Sequence, residues 1–428
     1  MLRSRKLLSA ALMACAALAV GACAPSGGGS QGTAGGDDDT ITFWSWRTDD
    51  VKAYEAIFDV YEKQHPGVKV EHIPYKNDEY NQILATGLSG SDVPDIVMVK
   101  NYGQLQSTIA SGQIEPLDDV IDLKNFPDTS LDAMKSLDDG KVYGVPFAIS
   151  TLHLYYNVDL FQKHGVEVPQ TWDEFLAACE KLKSAGETPL VVAGADPNVQ
   201  VPVSVDVFGA AQYGGWDFLE ALRAGEKTLE DPAFVQALDT MGMLKEFMPS
   251  NPQGISYDDA RVLFTDGRAA MITSGSWDLA FFKDQNPDLN VDILPVPVDD
   301  GWASDKPLTP GFVDGGYALT KNSAQKEAAT ELLNWMATPE FGELFAKNVK
   351  QISAVNGVVP EDELLAKMIK EYNDNGAPYL PAVEFRLEQP WGTTLIGENV
   401  QRIWLGEESA DEAAKTVWSG VSQWYKAD

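Results

Sequence analysis

Apolar residues recur at two different spacings from residue 39 onward. Residues 39–43 and 68–75 have the short apolar runs typical of strands. The intervening stretch places its apolar side chains on one helical face: Val51, Tyr54, Ile57, Phe58 and Tyr61. A second helical stretch at 79–90 precedes a strand-like run at 94–100. Because strands alternate with helices, the pattern predicts an α/β fold with a mostly parallel sheet, in which ligands bind at the carboxyl ends of the strands.

Helix-capping residues mark the start of two helices. Asp49 or Asp50 is expected to cap the first helix, because short acidic side chains accept hydrogen bonds from the first free backbone N–H groups. Thr171 with Glu174 three residues later has the spacing of a capping box. Both positions therefore predict helix starts.

Two later stretches each combine more than one element. Residues 256–273 predict a helix, a turn at Gly267 and a strand, and residues 323–347 predict two helices separated at Pro339. The chain beyond residue 40 has no internal repeat and no low-complexity linker. Two lobes are therefore expected to be interwoven in sequence rather than arranged one after the other.

Residues 1–22 have the features of a lipoprotein export signal. Three basic residues precede an apolar stretch at 7–20, which is too short for a comfortable membrane span. Residues 20–23 resemble a bacterial lipobox, in which the thiol of Cys23 would form the thioether to a diacylglycerol. A simple cleavage site beside a chance cysteine is the alternative. Residues 24–39 are rich in Gly and Ser, which predicts a flexible tether to the outer face of the cytoplasmic membrane.

Charge and cysteine content exclude several classes of function. The 428 residues include 64 Asp and Glu but only 32 Lys and Arg, which argues against a nucleic-acid partner. We interpret this acidity as a solubility feature of a protein that works outside the cell. Cys179, alone in the body of the chain, cannot form an internal disulfide, and the four histidines lack metal-ligand spacing. The sequence therefore predicts no metal and no cofactor.

Four segments resemble signatures of one protein family. They are the opening ITFWSWRTDD with the residues up to PDIVMV, GVPFAISTLHLYYNVDLFQKHGVEVPQTWDEF, FTDGRAAMITSGSW, and GGYALTKNSAQKEAATELLNWMATPEFGELFAKN. Together they span nearly all of residues 40–428, in order, behind the lipobox. On these residues the chain resembles the extracellular solute-binding proteins of ABC importers, in the sugar-binding group (family 1) that includes the maltose-binding protein.

The resemblance implies a periplasmic-binding-protein-like α/β fold, with two α/β lobes joined by a multi-segment hinge and a ligand cleft between them. The implied lobes are residues 40–148 plus 312–356 and residues 149–308 plus 357–428. Two crossings between the lobes are expected near 148–151 and 309–314. The glycines of TPGFVDGG, at 309–316, could absorb the backbone rotation of hinge closure.

Candidate ligand residues follow from the chemistry of a sugar. Its weakly apolar faces stack on aromatic rings, and its hydroxyl rim needs side chains such as Asp, Asn, Glu or Arg. Predicted strand ends and loops offer these ligand-binding residues: Trp44, Trp46, Asn101, Ser150, Trp216, Trp277, Asp314 and Trp391. The same groupings also contain Arg47, Tyr102, Asp217, Asp278, Glu384 and Arg386.

The candidates differ in what supports them. One ring of the pair Trp44 and Trp46 is expected to face the cleft, and Trp46 is the better candidate because it lies nearer the strand end. The resemblance implies that Trp277 occupies the position of a stacking aromatic and that Asn101 lies where relatives have polar ligands. Ser150 stands where a relative has an acidic ligand, which argues against an identical sugar specificity.

The resemblance implies the substrate-binding component of an ABC-type carbohydrate importer. Such a protein is expected to capture a neutral sugar, in this case an oligosaccharide, and to deliver it to the permease as a monomer. The chain has no G-x-S-x-G, H-E-x-x-H or P-loop motif, so a binding protein is predicted rather than an enzyme. A secreted polysaccharide hydrolase or lyase, and a sensor or adhesin, are the alternatives. A polyol phosphate or peptide is the alternative ligand, but a phosphate calls for a basic cluster, which the candidate loops lack.

Overall fold

A computed structural model of the protein describes residues 40–90 and 93–427; the export signal, Cys23 and the tether lie outside the described residues. Within this part of the chain, eleven strands form two sheets. In chain order they are β1 Thr40–Ser45, β2 Lys69–Pro74, β3 Ile96–Val99, β4 Val145–Pro146, β5 Ile149–Asn157, β6 Leu190–Val191, β7 Met271–Gly275, β8 Val291–Leu294, β9 Thr309–Val313, β10 Gly316–Leu319 and β11 Gly376–Pro378.

Helices connect most of these strands. In chain order the α-helices of the described residues are α1 Val51–Gln64, α2 Asn77–Leu88, α3 Tyr102–Ala110, α4 Asp128–Asp132, α5 Val158–Lys163, α6 Trp172–Ser184, α7 Gln200–Tyr213, α8 Gly215–Arg223, α9 Pro232–Leu244, α10 Tyr257–Thr265, α11 Asp278–Gln285, α12 Lys326–Met336, α13 Pro339–Asn348, α14 Glu363–Asn375, α15 Leu380–Glu384, α16 Gly392–Leu405 and α17 Ala410–Val421. The helices and strands predicted from spacing are confirmed at each of the stretches named above.

The first sheet has the strand order β2-β1-β3-β10-β4. β1 pairs in parallel with β2 and β3, as the alternation of strands and helices predicts. β10 inserts antiparallel between β3 and β4. The predicted face of α1 packs on this sheet, with all four of its aromatic and isoleucine side chains buried. We call this sheet and its helices lobe 1.

The second sheet has the order β11-β9-β5-β7-β6, with β8 also paired to β5. The central strand β5 alternates its buried side chains between two apolar clusters, because successive residues of a strand point to opposite faces. Helix α7 covers one face and is buried along its whole length. We call this sheet and its helices lobe 2, so the described chain forms the two α/β lobes that were expected.

The chain passes between the two sheets along three adjacent segments. It leaves the first sheet after Pro146, enters the second at Ile149, and returns between Val313 and Gly316. Residues 352–354 lie beside the first passage, because Ile149 N donates to Ile352 O and Ala354 N donates to Phe147 O. We call 147–149, 313–315 and 352–354 the crossing segments. The residue-level lobe boundaries stay a prediction.

Two helix caps differ from the predicted ones. Asp50 stands at the N-cap of α1, but its carboxylate accepts from Arg47 Nε at 2.6 Å instead of capping, so this prediction was wrong. Thr171 Oγ1 accepts from Glu174 N at 3.2 Å as predicted, whereas the Glu174 carboxylate accepts from Gln170 N. The capping box at α6 is therefore only half formed.

Apolar burial is extensive, and the helices are short. Cys179 is a free, buried thiol in α6. No helix in residues 40–90 and 93–427 is both long and apolar enough to cross a bilayer. No group of three His, Cys, Asp or Glu side chains in the same residues has the arrangement of a metal site.

Candidate functional site

The carboxyl end of β3 is held against a crossing segment. The buried Asn101 amide donates to Val313 O, and Val313 N donates to the Tyr102 hydroxyl at 3.4 Å. Tyr102 has a φ of 45°, a left-handed conformation that is uncommon for a non-glycine residue. Asn101 thus lies at the predicted strand end but commits its amide to the hinge, and its role in ligand binding stays a prediction.

Arg47 fixes the end of β1 to the same crossing segment. Its Nε donates to Asp50 at 2.6 Å and its Nη1 donates to Asp314 at 3.1 Å, while Nη2 is buried without a partner. Burial lowers the pKa of Arg47, but Asp50 and Asp314 outweigh burial and raise it overall. The predicted residue Asp314 therefore occupies the junction of the lobes, with its carboxylate shared with a permanently charged guanidinium.

The two opening tryptophans have different surroundings. The Trp44 ring lies against Gly87 of α2, where an added Cβ would come within 2.3 Å of the ring, and it packs on Tyr75. Trp46 is 7 % exposed and contacts Phe147 on the crossing segment. The ammonium of Lys100 lies 3.6 Å from the centre of the Trp46 ring. Trp46 is thus the ring that contacts a crossing segment, and a cation already covers one of its faces. Which of the two rings faces a ligand stays a prediction.

Lys100 is a half-buried cation with no carboxylate within ion-pair distance among the described residues. Besides the Trp46 ring it contacts Asn77 Oδ1 at 2.5 Å. Burial lowers the pKa of Lys100 to about 7; Asp314 opposes this shift, whereas Arg386 and Arg47 add to it. An acceptor atom from a ligand would therefore be favourable beside this ammonium.

Arg386 approaches Lys100 from lobe 2. The backbone at 386–387 packs against Gly103 in the first turn of α3 so closely that a Cβ on Gly103 would lie 2.5 Å from Leu387 N. The Arg386 guanidinium lies 5.8 Å from the Tyr379 ring centre and has no ion pair within the described residues. Burial lowers its pKa, although the group stays charged. Two unpaired cations thus belong to opposite lobes at the place where the lobes touch.

Polar side chains without partners lie along the edge of the second sheet that is formed by its strand ends beside the crossing segments. Ser150 is opposite Phe312 in the pairing of β5 and β9, and its buried Oγ has no hydrogen-bond partner. The Tyr379 hydroxyl also has none, and its ring packs on Phe312 at 5.2 Å. Gln200, at the start of α7, leaves Oε1 unpartnered. Each such group costs about 1–3 kcal/mol if it stays dry, so this edge suits a polar ligand or water.

Trp277 stands at the same edge, just beyond the carboxyl end of β7. Its ring lies against Gly275, where any Cβ would come within 2.0 Å of a ring carbon. Its indole N–H donates to the Tyr257 hydroxyl at 2.9 Å, and Phe312 packs edge-on to it at 6.3 Å. The ring is half-buried and fixed on three sides, which suits a stacking platform.

The last two predicted residues belong to other elements of lobe 2. Trp391 precedes α16 and follows the segment that carries Arg386. Trp216 is 47 % exposed and lines an open cavity of about 620 Å³ with Leu308 and Gly376. Leu308 and Gly376 lie at the end of β9 and β11 opposite to Val313, so the structure does not bring Trp216 to the other candidates. The roles of both tryptophans stay predictions.

Sequence reasoning missed Tyr379 and Gln200 and did not select Lys100. Gln200 is the first residue of α7 and lies well beyond the end of β6 at Val191, so no strand end indicates it. Lys100 directly follows β3, so that predicted strand end did indicate it, whereas Tyr379 follows the short strand β11, which the sequence did not predict. Glu384, which the sequence grouped with Arg386, instead accepts from Arg223 and Tyr425.

Lys100 is expected to be modified before other lysines by an amine-reactive reagent at pH 7. With a pKa near 7 about half of its amino groups are unprotonated, against about one in 2,500 for an ordinary lysine. Trace acetylation followed by peptide mass spectrometry gives the relative rates, with exposed Lys52 as reference. Labelling of Lys100 that is slower than that of Lys52 would contradict the lowered pKa.

Comparison with known proteins places this geometry in a family. The model of the bacterial extracellular solute-binding protein family matches residues 44–343. The multiple sugar-binding protein of Streptococcus mutans is 24% identical over 383 residues, covering 87% of this chain and 83% of the relative. The sn-glycerol-3-phosphate-binding periplasmic protein UgpB of Pectobacterium atrosepticum is 24% identical over 414 residues, covering 87% and 88%.

A solved structure supports the same fold. The solute-binding protein RafE in complex with raffinose superposes with a TM-score of 0.73 at 24% identity, over 90% of this chain and 99% of that one. The chain therefore belongs to the bacterial extracellular solute-binding proteins, which are exported binding proteins. The resemblance stated from the four sequence segments is confirmed.

Proposed function

We propose that this solute-binding protein captures a carbohydrate between its lobes and delivers it to the permease of an ABC importer. The observation that carries the proposal is the fixed Trp277 ring beside the unpartnered hydroxyls of Ser150 and Tyr379. The ring offers a face for stacking, and the hydroxyls and Arg386 offer partners for a rim of sugar hydroxyls. A relative named for multiple sugars and a structural neighbour that holds raffinose support this ligand class.

The predicted ligand residues divide into direct and indirect roles in this proposal. Trp277 and Ser150 would contact the sugar from lobe 2, and Asp314 would contact it from the crossing segment. Trp46 would act through the Lys100 ammonium on its face. Trp44 and Asn101 are fixed by α2 and by Val313, so they would support the cleft walls.

Binding would work by closing the lobes on the ligand. A sugar that contacts both lobes binds only their closed arrangement, so it shifts the equilibrium between open and closed forms. The three crossing segments would absorb the rotation, because only short backbone stretches join the two cores. The permease would recognise the closed form, and opening would release the sugar.

A lipid at Cys23 would keep the receptor near its permease. Tethering raises the effective concentration of one partner around the other without any new contact. We propose that the protein works as a monomer on the outer face of the cytoplasmic membrane. Metabolic labelling with a fatty acid analogue tests this anchor: Cys23→Ser should abolish the label.

A Trp277→Ala variant is expected to bind the sugar at least tenfold more weakly, because it removes the stacking face. A thermal-shift screen of residues 40–428 against mono- and oligosaccharides would first identify the ligand, since a bound ligand raises the melting temperature. Calorimetric titration then compares Trp277→Ala with Trp216→Ala, which should bind as tightly as the unsubstituted protein. The opposite ranking would move the site to the outer cavity at Trp216.

Recovery of the oligosaccharide intact after incubation distinguishes a binder from a hydrolase.

An anionic solute is the second candidate ligand. The absence of a basic cluster was inferred from the sequence, but the fold brings Arg47, Lys100 and Arg386 from three separate segments to one place. The glycerol phosphate named for one relative has this chemistry. Glycerol 3-phosphate and an acidic sugar therefore belong in the same screen. A shift with these and none with neutral sugars would select this candidate.

A further inference from the structure

Arg261 on α10 is a nearly buried cation that reaches from lobe 2 to lobe 1. Its Nη1 donates to Asp49 Oδ2 at 3.0 Å, and Asp49 lies between β1 and α1. Arg261 is 9 % exposed in its side chain, whereas Asp49 is 65 % exposed. Asp258, one helical turn earlier on α10, contacts Nη2. One guanidinium therefore joins a partner on its own helix to a partner on the opposite lobe.

The same guanidinium supports the ring that the proposed function uses for stacking. It lies 4.4 Å from the centre of the Tyr257 ring and 3.6 Å, measured from Nη1, from the buried carboxylate of Asp278. The Tyr257 hydroxyl donates to Asp278 at 2.6 Å and accepts from the indole N–H of Trp277 at 2.9 Å. A short chain of contacts thus runs from Asp49 on lobe 1 to the Trp277 ring on lobe 2.

The contact between Asp49 and Arg261 depends on how the lobes are arranged. Asp49 belongs to the segment that follows β1 of the first sheet, and Arg261 belongs to a helix packed beside β7 of the second. Rotation about the crossing segments would separate them. The pair of Arg47 with Asp314 differs, because Asp314 is itself part of a crossing segment and stays close to Arg47.

We propose that Asp49 and Arg261 form a latch between the lobes, which stabilises the closed form and positions Trp277 against the ligand. This role rests on the proposed function only in placing the ligand between the lobes. Arg261 and Asp49 are positioning residues here, since neither needs to touch the ligand. Breaking the latch favours the open form, so ligand leaves faster and binds more weakly, while each lobe keeps its own core.

An Asp49→Asn variant tests the latch, and Asp258→Asn is its matched control. Both remove one carboxylate from the same guanidinium, but only Asp49 is on the opposite lobe. Donor and acceptor dyes on the two lobes report the distance between them with and without ligand, and stopped-flow measurements give the dissociation rate. We expect Asp49→Asn to shift the ligand-free protein toward larger dye separation and to raise the dissociation rate about five- to tenfold. Asp258→Asn should leave both unchanged.

A double-mutant cycle separates the latch from a general charge effect. In an Arg261→Gln background, Asp49→Asn should change the dissociation rate no further, because the partner is already lost. Arg261→Lys keeps the charge and should retain part of the closure. Equal effects of the two Asp variants, or an undiminished effect in the Arg261→Gln background, would overturn the latch. If no sugar binds at all, the proposed function fails, but the dye separation in ligand-free protein still tests the latch.

Discussion

A Gly103→Ala variant is expected to bind ligand about ten- to a hundredfold more weakly while it keeps its fold. A Cβ at this position would lie 2.5 Å from Leu387 N and 2.7 Å from the Arg386 carbonyl carbon. These are backbone atoms, so a side-chain rotation cannot relieve the overlap. The methyl group lies on α3 of lobe 1, and the atoms it meets belong to lobe 2. The least costly relief is therefore a small opening of the lobes, which lowers affinity because the closed form becomes rarer.

The neighbouring variant Gln104→Ala is the control for this effect. Gln104 follows Gly103 on α3, so both variants raise the alanine content of the same helix by one residue. Small-angle scattering should show a larger radius of gyration for ligand-bound Gly103→Ala than for Gln104→Ala. An unchanged radius with unchanged affinity would show that the contact at 386–387 does not govern closure. A large loss of thermal stability in Gly103→Ala would instead assign the contact to folding.

Local patterns were enough to predict helices α1, α2, α6, α10, α12 and α13, and strands β1, β2 and β3 of the first sheet. The face of α1, the separation of α12 from α13 at Pro339 and the positive φ of Gly267 after α10 each depend on a few neighbouring residues. The antiparallel position of β10 could not be predicted in the same way. It depends on pairing with β3 and β4, which the chain reaches only after passing through the second sheet.

The two opening tryptophans show why side-chain roles are harder to predict than elements. Trp44 and Trp46 are two residues apart and have the same chemistry. Gly87 on α2 leaves room for the Trp44 ring, while Phe147 and Lys100 surround Trp46. None of these partners is a near neighbour in sequence. The cation on Trp46 could therefore come only from the fold.

The candidate cleft likewise contains one residue with a local sequence signal and several whose partners are distant in sequence. Trp277 was selected because SGSW is a local signature, and the structure explains its position by the adjacent Gly275. Arg47, Lys100 and Arg386 were each visible in the sequence, yet their convergence was not. A search for runs of basic residues misses a cluster whose members come from separate segments. Electrostatic predictions for such clefts therefore need the tertiary structure.

A second large effect is expected from Asp206→Asn. Its free energy of unfolding minus that of the unsubstituted protein should be about 3–4 kcal/mol larger at pH 8 than at pH 5. Asp206 is fully buried in α7, and burial raises its pKa to about 8. In the unfolded chain the carboxyl has an ordinary pKa near 4. Between about pH 4 and pH 8 the native state thus holds one more proton than the unfolded state. Stability contributed by this proton is lost as the pH rises through that window.

Asparagine resembles the protonated carboxyl in shape but does not titrate, so the variant should not lose this stability. The native contact is also retained, since Asp206 Oδ2 accepts from Leu380 N at 2.9 Å and an amide oxygen can do the same. Urea unfolding at pH 5, 6.5 and 8 measures the difference in free energy of unfolding between the two proteins. The titrations of His72 and His153 occur in both proteins and cancel in this difference. Asp59→Asn makes the same change at an exposed position and is the control. A flat difference for Asp206→Asn would mean that the carboxyl is ionised in the native protein.

The position of Asp206 connects this stability cost to the cleft. The bond to Leu380 N holds the start of α15, and the adjacent residues include Tyr379 and Arg386 of the proposed site. A leucine or alanine at 206 would not titrate, but it would leave the Leu380 N–H buried without an acceptor, at a cost of about 1–3 kcal/mol. Asp206→Ala should therefore gain less stability than Asp206→Asn and should also weaken ligand binding, whereas Asp206→Asn should bind normally. Equal affinity in both variants would show that the 379–386 segment holds its position without this bond.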